Sequence, residues 1–138
     1  MRRIGGERTA HRRADLIDLD HGAWQGLTVE EARERDPEEF DRFRRSPDTS
    51  TPPGGEALKD VERRTAEALR RLSLLHEGAP IAAVSHEIPI RLVLCRAAPL
   101  PPPWTMWDLE LPTGSVTELL VLESDLRLAS QDAAPLHE

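Results

Sequence analysis

The residues best placed to do chemistry lie in one stretch, Ile81-Ala82-Ala83-Val84-Ser85-His86-Glu87-Ile88-Pro89-Ile90-Arg91. Residues 81–84 form an apolar run behind Gly78-Ala79-Pro80, and such a run after turn residues predicts a buried, parallel strand. Ser85 offers an N-cap oxygen, and residues 88–95 read as the apolar first turns of a helix. Pro89 fits there, because the first helical turn does not need its missing N–H. His86 therefore falls where a strand ends and a helix begins. In open α/β sheets ligands bind in that crevice. A helix N-terminus adds free N–H groups and partial positive charge, which suit an anion such as phosphate. A lone histidine also serves as an ordinary hydrogen-bonded structural residue. Its place at the ligand end of the sheet favours the functional reading.

Other elements must position that histidine. Residues 1–14 hold five arginines and little apolar periodicity, which predicts a basic N-terminal arm. Leu16-Ile17-Asp18-Leu19-Asp20 alternates apolar and acidic side chains. The following His21-Gly22-Ala23-Trp24-Gln25-Gly26-Leu27 reads as a tight loop pinned by a large ring. Thr28 with Glu31 forms a capping box ahead of a short helix over 29–35. Asp36-Pro37 opens a second helix to about residue 45, and Phe40 and Phe43 read as a lid or rim. Residues 46–55 are a Pro-, Ser-, Thr- and Gly-rich loop. Residues 56–76 give the strongest helix, with Leu58, Val61, Thr65, Ala68, Leu69, Leu72 and Leu75 on one face. Residues 98–103 are a proline-rich turn, and Trp104-Thr105-Met106-Trp107 reads as core or rim packing. Residues 116–123 and 126–130 are predicted strands of a hairpin.

The chain has 138 residues, 38% apolar and 31% charged, which suits one domain with a strongly solvated surface. A formal net charge of −7 argues against a general nucleic-acid or acidic-membrane binder, while leaving room for a locally basic pocket that takes a small anion. Cys95 is the lone cysteine and reads as a buried, inert thiol. No stretch is apolar and long enough to span a membrane, and the N-terminus carries no secretory signal. The expected setting is cytoplasmic, with no cofactor, no metal, no nucleic acid and no membrane partner.

Four segments, in order, resemble the histidine phosphatase superfamily, the phosphoglycerate-mutase-like proteins. Leu16 to Thr28 is similar to that family's L-x-E-x-x-x-G-x-W-E-G-L-T. Pro53-Gly54-Gly55-Glu56 is similar to its P-G-G-E-S helix start. Val84-Ser85-His86 with Arg91 is similar to its V-S-H-G-x-x-x-R, and Thr113-Gly114-Ser115-Val116-Thr117 to the turn before its last strand. The resemblance implies a three-layer α/β fold with a mostly parallel sheet and helices on both faces. It implies a domain over residues 15–131, with 132–138 as a tail. It also implies chemistry in which a histidine of an R-H-G motif attacks a phosphoryl group, an acid protonates the leaving oxygen, and a second histidine with two arginines holds the phosphate. His86 then corresponds to the second histidine and Asp18 to the acid.

Three departures qualify that picture. The R-H-G segment and the second phosphate arginine have no counterpart, so the fold is expected to be N-terminally truncated. Asp18 replaces the usual Glu, and Glu87 replaces the usual glycine after His86. Neither His11 nor His21 matches the nucleophile. The resemblance thus implies a phosphomonoesterase that is incomplete or inactive as it stands. A non-catalytic binding protein and a remnant of a truncated gene are the alternatives. A phosphorylated small molecule is the implied ligand, and a homo-oligomer through the exposed sheet edge is the implied assembly.

Overall fold

The structure, a computed structural model, describes residues 10–102 and 105–132. Residues 1–9 of the basic arm, Trp104 and residues 133–138 of the tail lie outside the described residues. In chain order the long elements are α1 (Val29–Arg35), α2 (Pro37–Arg45), α3 (Leu58–Leu75), α4 (Glu87–Ala97), β1 (Val116–Val121) and β2 (Leu126–Asp132), with short 3₁₀ turns between them.

Local chemistry sets the helix boundaries. Thr28 accepts from the Glu31 N–H at 3.2 Å while the Glu31 carboxylate takes the Thr28 N–H at 2.8 Å, the capping box read from the sequence. Pro37 opens α2 at its first position, with Glu38 and Glu39 in the first turn and Arg44 and Arg45 in the last. The helix α3 ends where Glu77 and Gly78 take left-handed backbone angles, φ 53° and 77°.

The core forms where α3 and α4 pack on the aromatic residues of the N-terminal half. Leu58 and Val61 of α3 and Ile88 and Leu92 of α4 meet Trp24, Phe40 and Phe43. Phe40 and Phe43 are therefore core residues, not a lid or rim. Their rings lie 5.6 and 5.4 Å from Trp24, tilted and edge-on, the arrangement aromatic quadrupoles favour. A second cluster joins Ala66, Val93 and Leu126 under the hairpin. Of the expected apolar face of α3, Leu58, Val61, Thr65 and Ala68 are buried. Leu75 is instead exposed, because the last turn of α3 runs past the body it packs on.

The sheet differs from expectation. Among the described residues it has two strands, β1 and β2, paired antiparallel with Leu119 opposite Leu128 and an irregularity between Glu118 and Leu119. Among the described residues this two-stranded sheet does not show the expected three-layer, mostly parallel arrangement with helices on both faces. Residues 81–84 make no strand, and Val84 is 91% exposed. Apolar, β-branched composition states a preference. A strand exists only where a neighbour pairs its N–H and C=O groups. No such neighbour lies beside residues 81–84 among the described residues.

Candidate functional site

Two loops meet to make the site. The 3₁₀ turn Gly22–Trp24 is pinned by Trp24, buried in the core, whose indole N–H donates to Asp36 Oδ2 at 2.8 Å. Its backbone docks on the Pro-Gly-Gly-Glu loop. The Ala23 N–H donates to the Pro53 carbonyl at 2.8 Å, and the Glu56 N–H to the Asp20 carbonyl at 2.9 Å. Glycine is required at this junction. A Cβ on Gly22 would stand 2.4 Å from the Gly55 nitrogen, and one on Gly55 would stand 2.4 Å from the Asp20 carbonyl oxygen. Two segments that resemble motifs in sequence are thus one backbone-to-backbone contact in space.

The segment before that turn carries Asp18. Arg64 on α3 donates to the carbonyls of Asp15, Ile17 and Asp18 at 3.0, 2.8 and 2.9 Å. The Glu56 carboxylate holds the other side of the guanidinium at 2.8 and 3.1 Å. The remaining carbonyl, that of Leu16, accepts from the Ser85 hydroxyl at 2.8 Å. Ser85 was expected to cap α4. Its hydroxyl ties the turn before the helix to the Asp18 segment instead, and His86 occupies the N-cap position without using its side chain.

That tie brings the two expected site residues together. His86 Nδ1 lies 4.0 Å from Asp18 Oδ2, with both side chains partly open to solvent. Asp18 Oδ1 accepts the Leu19 N–H at 2.9 Å, which leaves Oδ2 for the imidazole side. A separation of 4.0 Å is beyond a hydrogen bond, so both groups remain able to contact a third.

Arg91 is not at the site. Its guanidinium, about nine-tenths buried, donates to the carbonyls of Met106, at 2.8 Å, and Leu109, and so anchors the turn after α4. It also pairs with Glu87 one helical turn back at 2.8 Å. A carboxylate beside His86 would oppose a dianionic phosphate, and that pairing draws the Glu87 carboxylate toward a cation along the helix instead. Arg13 is likewise occupied. It forms a double hydrogen bond with Asp15 at 3.1 and 2.8 Å, which holds the Asp15 carboxyl below the usual carboxylate value. Neither His11 nor His21 pairs with Asp18. Among the described residues no group of histidine, cysteine and acidic side chains is arranged to hold a metal ion.

Residues 2–132 match the histidine phosphatase superfamily, branch 1. The chain belongs to that superfamily. Bifunctional protein Rv2228c of Mycobacterium tuberculosis is 49% identical over 81 residues, 58% of this chain and 22% of that protein. Phosphoserine phosphatase 1 of Hydrogenobacter thermophilus is 36% identical over 80 residues, 58% of this chain and 38% of that protein. Among solved structures, Bacillus stearothermophilus YhfR superposes with a TM-score of 0.74 at 28% identity, covering 86% of this chain and 58% of that one. This histidine phosphatase superfamily chain therefore spans well under half the length of the two curated relatives. The sequence singles out Asp18 and His86, which the fold brings together, and gives no sign of Arg64, which holds the Asp18 segment. The surrounding Glu-Arg-Arg-Thr reads as the solvated face of an amphipathic helix, and nothing local marks one arginine of the pair as reaching across the fold.

Proposed function

We propose that Asp18 and His86 form part of a phosphoryl-binding site for a small phosphomonoester, in a cytoplasmic protein. The observation that supports this is the 4.0 Å approach of the imidazole to the carboxylate at the start of α4, between segments far apart in sequence. His86 holds a phosphoryl oxygen there, helped by the unpaired N–H groups of the first turn of α4. Asp18 protonates the leaving oxygen if the ester is cleaved.

Cleavage through a phosphohistidine needs a second imidazole as nucleophile. Among the described residues, His86 is the one imidazole at this site. Our reading is therefore binding without turnover by the chain as it stands. Hydrolysis is the second reading, favoured by the likeness to a phosphoserine phosphatase.

Titrating inorganic phosphate into the labelled protein, with NMR detection of the His86 ring and the Ile88 amide, tests the proposal. A dissociation constant on the order of millimolar, about −4 kcal/mol, is expected. An aryl phosphate should not be hydrolysed above background. Turnover that disappears in His86→Ala would replace the binding reading with hydrolysis, and no response at His86 would remove both.

A further inference from the structure

Arg64 is the cation most tempting to assign to phosphate, because its guanidinium lies against the backbone of Asp18. The geometry points elsewhere. We propose that Arg64, braced by Glu56, is a positioning residue that sets Asp18 against His86 and does not itself contact the phosphoryl group. This inference rests on the site reading above.

A guanidinium carries five N–H donors in a rigid fork. In this structure Arg64 makes five hydrogen bonds: two to the Glu56 carboxylate and one each to the carbonyls of Asp15, Ile17 and Asp18. All three of its nitrogens are engaged, so no donor remains to aim at an anion. Glu56 also balances its charge, so the pair adds no net charge beside the site.

Apart from the fork, the segment is held by the burial of Leu16 and Leu19. Residues 14–16 make one 3₁₀ turn, Ile17 is 60% exposed, and no strand pairing among the described residues fixes the backbone. Yet the four consecutive carbonyls from Asp15 to Asp18 all have partners. Arg64 takes three, and Ser85, adjacent to His86, takes the fourth. The segment is therefore clamped between α3 on one side and the His86 turn on the other. The carboxylate orientation follows from the backbone, since the next N–H, that of Leu19, captures Oδ1. A lysine at position 64 has three donors on a single nitrogen and cannot span three carbonyls and a carboxylate.

The test compares the wild-type chain with Arg64→Lys, Asp18→Asn and the double variant. The His86 ring signals and the dissociation constant for inorganic phosphate are the readouts, and the methyl signals of Leu58 and Val61 report an intact core. Arg64→Lys is expected to move the His86 ring signals in the same direction as Asp18→Asn and to change phosphate affinity at least threefold in the direction that Asp18→Asn does. In the Asp18→Asn background it should add nothing further, because Arg64 acts through Asp18. An additional loss from Arg64→Lys in the Asp18→Asn background would mean that Arg64 touches phosphate directly, and would overturn the proposal. So would an Arg64→Lys protein with an intact core and unmoved His86 signals. Should Arg64→Lys fail to fold, Glu56→Gln carries the same comparison, since it loosens the brace and leaves the carbonyl bonds. The site reading fails separately, if wild-type His86 does not respond to phosphate while the ring signals still follow Arg64.

Discussion

At the scale of single residues, two arginines serve as backbone tethers rather than as surface charges. Arg64 and Arg91 each reach carbonyls of a segment distant in sequence, and each is braced by a glutamate. Removing such a side chain leaves several carbonyls and a carboxylate without partners, which costs more than the bonds themselves are worth. Thr65 is the opposite case. It is buried in α3, and its hydroxyl alone among buried side-chain polar atoms of the described residues finds no partner. An unpaired buried hydroxyl costs about 1–3 kcal/mol. Thr65→Val keeps the shape and removes that cost. The variant should be more stable by about 1 kcal/mol in urea unfolding, with phosphate binding unchanged. A loss of stability would mean that the hydroxyl is hydrated in solution.

At the scale of elements, the junction of the Gly22–Trp24 turn with the Pro-Gly-Gly-Glu loop is where close approach sets the geometry. Gly55→Ala places a methyl group into the Asp20 carbonyl, so the two backbones must part. Gly26 also has a positive φ, 78°, but open space around it. Gly55→Ala should therefore destabilise through overpacking, by about 1–3 kcal/mol, and should shift the His86 ring signals as well. Gly26→Ala should cost about 1–2 kcal/mol of backbone strain and leave His86 unmoved. Urea unfolding and the ring signals together separate the two effects. The sequence made these elements legible wherever the signal was local: the Thr28–Glu31 box, Pro37, the apolar face of α3, the hairpin, and the motif order that singled out Asp18 and His86. It could not announce what depends on distant partners. Arg64 meets its carbonyls 46 to 49 residues away, and no periodicity records that. Residues 81–84 have the composition of a strand, but pairing is a property of the neighbour.

At the scale of the whole molecule, the consequence is a set of exposed apolar side chains among the described residues. Val84 is 91% exposed and Ile17 60%, and the Ser85–Leu16 hydrogen bond brings their segments together. Leu74 and Leu75, each 71% exposed, lie at the end of α3, shortly before residues 81–84 in the chain. Residues 81–84 pair with no strand among the described residues, and unpaired backbone beside exposed apolar side chains is a template for a further strand. The partner we propose is a second copy of this chain, paired through residues 81–84. The net charge of −7 opposes that association through repulsion, which salt screens over about 10 Å at 0.1 M. Two copies should therefore associate more tightly as salt rises, the reverse of an interface built on ion pairs. Sedimentation equilibrium at low and high salt measures this. Val84→Lys adds a charge at a side chain that makes little contact within its own copy, so the monomer should keep its stability while the dimer weakens at least tenfold. A monomer at every salt concentration would show that residues 81–84 do not take a second copy, and association unchanged by Val84→Lys would place the interface elsewhere.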